Sequence, residues 1–204
     1  MIKLSPFFFF IDFYKKIYYN IYIIKKKGDI DMEKILIVID MQNDFIDGAL
    51  GSPEAQAIVP KVDEKIKDYV FNNHSVIYTR DTHDIDYLDT NEGKNLPIPH
   101  CIYETNGWEI SKDIYKPKFP YIIDKNTFGY DNWRLISALR HVNEIEVVGL
   151  CTDICVIANV VNIKTTFPEA EITVDASCCA GVTPERHKAA LEVMKSLQVN
   201  VINE

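Results

Sequence analysis

The chain has 204 residues, of which 47% are hydrophobic and 25% charged, a composition typical of one globular domain with a sizeable core and not of a disordered chain. Its formal net charge of -8 at pH 7 would repel a nucleic-acid backbone and an anionic membrane surface. We therefore expect no nucleic acid and no membrane among its partners, and a small neutral or cationic ligand instead.

Residues 1–31 differ from the rest of the chain. They are almost entirely Phe, Ile, Tyr, Lys, Asn and Asp, and six lysines against three aspartates give them a net charge of +3. One interpretation is a basic anchor that lies in a membrane interface. The apolar run at residues 6–11 is ended by Asp12, is too short to span a bilayer and precedes no small-residue cleavage site. We favour a non-core extension upstream of a start at Met32, followed by one domain over residues 32–204.

From residue 32 onward, short apolar runs alternate with longer amphipathic ones, the pattern of a parallel sheet with crossover helices. The apolar runs are rich in Val and Ile, as expected for strands that are buried on both faces. Ser52-Pro53 and Thr183-Pro184 are each typical of a helix N-cap followed by proline. The sequence predicts a single α/β domain with a doubly wound, six-stranded, mostly parallel sheet and helices on both faces. The strands are predicted at 35–39, 75–79, 121–123, 145–149, 171–174 and 199–202.

Residues 81–119 form a long stretch that contains Gly, Pro, Asn and Asp and has weak periodicity. Loops of this length in compact domains are usually functional or disordered. In open α/β sheets, ligands bind beyond the carboxyl ends of the strands. The polar residues just after each predicted strand are therefore the first candidates for a functional site.

Three of these residues form a chemical set. Asp40 ends the first strand and opens the string DMQNDF, and Cys155 follows the fourth strand at the start of a helical run. Backbone N–H groups and the helix dipole at such a position favour a thiolate and can hold an oxyanion. Lys125 follows the third strand, where its cation would hold Asp40 and Cys155 in their charged forms. Taken singly, the three are also typical of a capping acid, a surface lysine and a buried small cysteine.

The five cysteines, an odd number, show no disulfide-like spacing and no secretory signal precedes them. A reducing cytoplasm is the expected location. Cys151 and Cys155 have the spacing of half a zinc site, but no matching pair of Cys or His follows. Cys178 and Cys179 are interpreted as buried small side chains.

A second set of candidates comes from the long loop and its borders. Its members are acids and histidines, which are ligands of Zn, Mn or Fe: Asp81, His83, Glu92 and His100. Asp81 and His83 would point to the same side of an extended chain. The alternative is a loop with ordinary polar residues, of which Asp84, Asp86 and Asp89 are examples.

The string DMQNDF at residues 40–45, Lys125 and the segment VGLCTDIC at residues 148–155 together resemble the isochorismatase-like cysteine hydrolases. The similarity runs from about residue 33 to the C-terminus. It implies a six-stranded parallel sheet and a catalytic triad of Asp40, Lys125 and Cys155. It also implies a cis peptide bond before Cys151 and an oxyanion hole formed by the backbone N–H groups of Cys151 and Cys155.

Within this superfamily the chain is most similar to nicotinamidases, which convert nicotinamide to nicotinate and ammonia and carry one divalent metal ion. Their metal is held by an Asp-x-His pair and a later His, which match Asp81, His83 and His100. Glu92 fits the variable fourth place, with Asp89 as its rival.

The resemblance further implies a cytoplasmic homo-oligomer that acts on a small-molecule amide, and Phe45 and Phe128 are candidates for walls of its pocket. One departure bears on the substrate, because residues 96–99 before His100 are Leu-Pro-Ile-Pro where nicotinamidases tend to place an aromatic that stacks on the ring. Trp108 follows His100 and is a possible substitute.

Two alternatives remain open. A metal-free amidase of the same superfamily, acting on a carbamoyl or ureido group, needs the triad alone. A non-catalytic binding protein on this fold needs neither set, since fold alone does not determine function. Isochorismatase activity itself is disfavoured, because members that cleave the vinyl ether generally lack the cysteine.

Overall fold

A computed structural model describes residues 34–139 and 142–204 of the chain. The predicted extension at residues 1–31 and the proposed start at Met32 lie outside this part. The described residues form one six-stranded sheet in the order β3-β2-β1-β4-β5-β6, and every neighbouring pair is parallel. Its strands are β1 (Lys34–Ile39), β2 (Ser75–Asp81), β3 (Tyr121–Lys125), β4 (Glu144–Leu150), β5 (Glu171–Ala180) and β6 (Asn200–Ile202).

Helices connect most of the strands. Two are very short, α1 (Asn43–Ile46) and α3 (Asn91–Asn95), and three are longer: α2 (Pro53–Phe71), α4 (Ile157–Thr166) and α5 (Pro184–Ser196). A π-helical turn, Thr152–Val156, precedes α4, and single turns of 3-10 helix lie at Tyr87–Asp89, Trp133–Leu135 and Ser137–Leu139. No helix in the described ranges is long and apolar enough to cross a membrane.

Both predicted N-caps are present. The Ser52 hydroxyl accepts a hydrogen bond from the Ala55 N–H at the start of α2, and the Thr183 hydroxyl accepts one from the Arg186 N–H at the start of α5. Each satisfies an N–H that has no partner within its helix, a contribution of about 1 kcal/mol. The caps therefore set the points at which the two crossovers leave the sheet edge.

The sheet is covered on both faces, which confirms the predicted doubly wound architecture. Alternate side chains of β1 point to opposite faces, so Ile35 and Ile37 pack with residues of α4 and α5 while Leu36 and Val38 pack with residues of α2. Burial on both faces is the reason that these strands consist of continuous apolar runs.

The structure differs from the prediction at several strand ends. β2 and β3 each run two residues further than predicted, to Asp81 and Lys125, and pair these two residues with each other. β5 continues past Val174 to Ala180, although Asp175 interrupts its apolar run. Strand pairing in these segments outweighs the break in hydrophobicity that the prediction relied on.

The strand order reverses between β1 and β4, and the polar ends of both strands lie at this switch point. Gly149 of β4 has a φ of +121°, and a Cβ there would lie 2.1 Å from the Ile39 carbonyl oxygen. Only glycine allows the two strands to run this close together. Asp40 and Cys151 therefore follow directly on neighbouring strands.

Candidate active site

Asp40, the first residue of the predicted triad, is completely buried directly after β1. Its φ of +48° is a left-handed conformation that Asp tolerates better than most residues. Oδ1 accepts a 2.6 Å hydrogen bond from the Thr79 hydroxyl. Burial raises the pKa of Asp40 above its usual 3.8, and the nearby Lys125 only partly opposes that shift. The site therefore contains a carboxylate that is predisposed to take up a proton.

Lys125 joins the other two members of the triad. Its Nζ lies 2.7 Å from Asp40 Oδ2 and 3.7 Å from Cys155 Sγ, and its side chain is almost fully buried at the end of β3. Burial alone would lower the pKa of Lys125, but the charges of Asp40 and Cys155 raise it above its usual range. The lysine is thus a permanent cation between the acid and the thiol.

Cys155 lies in the π-helical turn before α4 and is buried. Burial raises the pKa of its thiol well above 9.0, and the carboxylates of Asp40 and Asp81 add to this, while Lys125 opposes it. A helix start and a neighbouring lysine were expected to favour the thiolate. Burial and the two neighbouring acids oppose that expectation and Lys125 supports it, so the charge of the Cys155 thiol stays a prediction.

Cys151 is the N-cap of the π-helical turn, and the peptide bond between Leu150 and Cys151 is cis, as the resemblance implies. The Cys151 carbonyl accepts hydrogen bonds from the N–H groups of Ile154 and Val156. These bonds shape the turn that carries Cys155. The use of the Cys151 and Cys155 N–H groups as an oxyanion hole stays a prediction.

The second predicted set also converges. Asp81, His83, Glu92 and His100 each offer one ligand atom, and these four atoms lie within 4.8 Å of one another. The closest pairs are His83 Nε2 to Asp81 Oδ2 at 3.0 Å and His100 Nε2 to Asp81 Oδ2 at 3.6 Å, and Glu92 Oε1 lies 3.8 Å from His83 Nε2. Ligands held about 2.1 Å from one ion are roughly 3.0–3.5 Å apart. The four residues therefore offer the donor types of a divalent metal site, and the pairs with Asp81 Oδ2 already lie near the spacing that such a site needs.

The tautomer of His100 suits this arrangement. Its Nδ1 donates a 2.9 Å hydrogen bond to the Ile98 carbonyl, which leaves Nε2 facing Asp81 and Glu92. Such a bond to the second ring nitrogen is how metal-binding histidines are usually oriented. Tyr87 packs against both imidazoles, with ring centroids 4.7 Å from His83 and 5.0 Å from His100.

Glu92, and not its rival Asp89, lies beside the two histidines. Glu92 lies in the first turn of α3, which is capped by the Thr90 hydroxyl, and its carboxylate is partly buried beside the two histidines. Burial raises the pKa of Glu92, and the charge of Asp81 adds to the shift. Asp89 is exposed and is not part of the cluster.

The string at residues 40–45 serves both centres, which the sequence analysis did not foresee beyond Asp40 and Phe45. The buried Gln42 brackets Asp81: its Oε1 accepts from the Asp81 N–H at 2.7 Å, and its Nε2 donates to the Asp81 and Trp108 carbonyls at 2.8 Å each. Asp44 accepts a 2.8 Å bond from the N–H of Cys101, the residue after His100. An amide side chain close after the end of the first strand is the sequence signal that could have identified Gln42.

The aromatic candidates have different positions. Phe45 is buried with its ring 5.6 Å from that of His100, whereas Phe128 is 48% exposed on the loop after β3. Trp108 is buried, donates from Nε1 to the Thr82 hydroxyl at 2.8 Å, and has the Arg80 guanidinium over its ring. Trp108 thus contacts Arg80 and Thr82, the residues on either side of Asp81. The roles of Phe45 and Phe128 as pocket walls stay predictions.

Buried, mutually perturbed ionisable groups at the switch point of a doubly wound sheet are typical of an α/β enzyme and not of a binding module on this fold. Family comparison defines the class further: the isochorismatase domain model matches residues 34–204, and the chain belongs to the isochorismatase family.

Several relatives within the family are amidases. The nicotinamidase/pyrazinamidase of Mycobacterium tuberculosis is 27% identical over 191 residues, which cover 83% of this chain and 98% of the relative. The pyrazinamidase of Pyrococcus horikoshii, solved in complex with zinc, superimposes with a TM-score of 0.74 at 30% identity over 84% of this chain and 99% of that one. The N-carbamoylsarcosine amidase of Thermoplasma acidophilum gives 0.70 at 25% identity over 83% and 95%. The chain is a hydrolase that acts on amides.

Proposed function

We propose that the protein hydrolyses nicotinamide to nicotinate and ammonia with Cys155 as the nucleophile. The observation that carries the proposal is that Lys125 contacts both Asp40 and Cys155, while the carboxylate of Asp81 lies against both Lys125 and the two histidines. An amide placed there would meet a thiol, a base and a metal-binding cluster at once.

The first half of the reaction forms a thioester. Asp40, whose raised pKa suits proton uptake, accepts the thiol proton of Cys155, and the sulfur attacks the carboxamide carbon. The backbone N–H groups of Cys151 and Cys155 would stabilise the oxyanion. Asp40 returns its proton to the leaving nitrogen, ammonia departs, and a thioester to Cys155 remains.

The second half releases the acid. Asp40 takes a proton from water, whose oxygen attacks the thioester carbon, and the carboxylic acid leaves as Cys155 regains a proton. Lys125 stays charged throughout and holds the two groups in register. Burial raises the pKa of the Cys155 thiol, so we place its deprotonation in the attack, with Asp40 as the acceptor.

Asp81, His83, Glu92 and His100 would hold one divalent ion, Zn, Mn or Fe. When bound, such an ion would coordinate the pyridine nitrogen and orient the amide. Its role would be to position the substrate and not to activate water. The zinc complex of the Pyrococcus pyrazinamidase supports this assignment. The five cysteines are free thiols, which supports the cytoplasm as the location.

Similarity to the N-carbamoylsarcosine amidase favours one competing substrate class, a carbamoyl amide. On the triad alone, such an amide would be cleaved without metal. Ammonia release from nicotinamide, benzamide and an N-carbamoyl amino acid, with metal analysis of the same sample, separates the two. Our proposal requires turnover of nicotinamide, stoichiometric metal, and poor turnover of benzamide, which lacks the ring nitrogen. Turnover of the carbamoyl compound alone, by metal-free protein, would overturn it.

A further inference from the structure

Asn159 is a completely buried residue of α4 whose side chain connects two separate parts of the site. Its Nδ2 donates to the Cys155 carbonyl at 2.8 Å and to the Phe128 carbonyl at 3.2 Å, and its Oδ1 accepts from the Tyr130 N–H at 2.9 Å. Cys155 belongs to the π-helical turn, whereas Phe128 and Tyr130 belong to the loop that leaves β3 just after Lys125. One amide thus binds the backbone on both sides of the Lys125–Cys155 contact.

The loop is also pressed against α4 at this point. A Cβ at Gly129 would lie 3.1 Å from the Ala158 carbonyl carbon and 2.8 Å from Asn162 Nδ2. The contact with the Ala158 backbone is tighter than most real Cβ contacts, so glycine eases the approach that Asn159 then secures. An apolar side chain in place of Asn159 would leave the buried Cys155 carbonyl and the two part-buried loop groups without this partner.

The Lys125 to Cys155 separation of 3.7 Å joins groups from two different segments of the chain. Nothing covalent near either residue sets that distance, and small errors in such geometry are costly to catalysis. We propose that Asn159 is a positioning residue that sets the Cys155 turn against the loop following Lys125, and so keeps the thiol in contact with the catalytic cation. This inference rests on the proposed role of Cys155 as the nucleophile.

The test uses Asn159→Asp in the full chain. The substitution keeps the shape and the acceptor for the Tyr130 N–H, but it places an oxygen against the Cys155 and Phe128 carbonyls. We expect kcat for nicotinamide to fall about tenfold or more with KM within about threefold, because geometry and not binding is disturbed. Iodoacetamide alkylation of Cys155, located by peptide mass spectrometry, should slow by a comparable factor.

Asn162→Asp is the matched control. Asn162 lies one turn further along α4 and donates to the Tyr130 carbonyl at 3.0 Å, so it touches the same loop without touching Cys155. Its variant should keep the parent kcat and alkylation rate. An equal loss in both variants would show that loop attachment alone matters, which overturns the assignment to Asn159.

Gly129→Ala disturbs the same contact from the loop side and serves if Asn159→Asp does not fold. It should lower kcat and slow alkylation in the same way. Parent rates in whichever of these two variants folds would overturn the inference. Alkylation needs no substrate, so a parent that releases no ammonia from any amide would end the proposed function while the alkylation rates still decide the role of Asn159.

Discussion

The carboxylate of Asp81 lies 3.4 Å from the ammonium of Lys125 through Oδ1, while its Oδ2 is the atom closest to both His83 and His100. Burial alone would raise the pKa of Asp81, but the hydrogen bonds from His100 and His83, together with Lys125, lower it strongly. The metal-binding cluster and the triad thus share one anion. A substitution that removes the shared carboxylate should change both the metal content and the reactivity of Cys155. A substitution elsewhere in the cluster should change the metal content alone.

His83→Ala should lower metal content and reduce nicotinamide turnover roughly a hundredfold or more, because positioning of the amide is lost. Cys155 alkylation should stay near the parent rate, since His83 contacts neither Lys125 nor Cys155 in the described hydrogen bonds and ion pairs. Asp81→Asn should lower the metal content and also change the alkylation rate, because it removes a charge beside Lys125. Elemental analysis and peptide mass spectrometry measure both quantities. Identical alkylation in the two variants would disprove the coupling.

Gln42→Met should destabilise the fold and weaken metal binding together. It leaves the Asp81 N–H and the Asp81 and Trp108 carbonyls without their amide partner, at a cost of about 2–4 kcal/mol. Urea unfolding and zinc titration provide the measurements. Gln56→Met, at an exposed position of α2, is the control and should change stability by no more than about 0.5 kcal/mol. Parent-like zinc affinity in Gln42→Met would show that the hydrogen bonds of Gln42 do not position Asp81.

Stability should depend on pH through Asp175. Burial alone would raise the pKa of this carboxylate, but hydrogen bonds from Lys65, Ser177 and Asn203 lower it below its usual 3.8. A depressed folded-state pKa stabilises the protein above the unfolded-state pKa, and that stabilisation is lost as the pH falls through the folded-state pKa.

The gap in unfolding free energy between parent and Asp175→Asn should therefore be constant from neutral pH to about pH 5 and shrink below about pH 4. Urea unfolding at a series of pH values measures it. The exposed Asp113→Asn provides the comparison for general acid effects. A difference in unfolding free energy that does not change with pH would contradict the lowered pKa of Asp175 in the folded protein.

Removal of residues 1–31 should leave kcat, KM and the melting temperature unchanged. The family match begins at residue 34, and β1 packs with other residues of the domain. Differential scanning fluorimetry and ammonia release on the truncated and full chains provide the measurements. A large loss of folded protein or of activity on truncation would assign these residues a part in the core.

The fold was predictable because its signals are local. Continuous Val and Ile runs mark the buried strands, and Ser52 and Thr183 mark two helix starts by cap chemistry. The strand ends were not predictable, because β2 and β3 continue into polar residues. These residues pair only because the partner strand is present. Asp175 misled the prediction of β5 for the same reason, as Lys65 on α2 satisfies its charge inside the sheet.

The convergence of the candidate site was predictable for residues at or after strand ends and much less so for the residues that support them. Asp40, Lys125 and Cys155 follow strand ends, whereas Gln42 and Asn159 act through buried amide bonds to residues distant in sequence. Exposure separates Glu92 from Asp89, and burial raises the pKa of the Cys155 thiol against the effect expected from Lys125. These outcomes depend on desolvation and on partners in space, which no spacing along the chain records.

The most direct test of the central claim is steady-state ammonia release from nicotinamide by the parent and by Cys155→Ala, with metal content measured in both. Thiol, base and cation act as a unit, so the variant should lose a factor of about 10⁴ or more in kcat. Its metal content should equal that of the parent, because Cys155 is not part of the metal-binding cluster. Turnover by Cys155→Ala near the parent level would contradict the account.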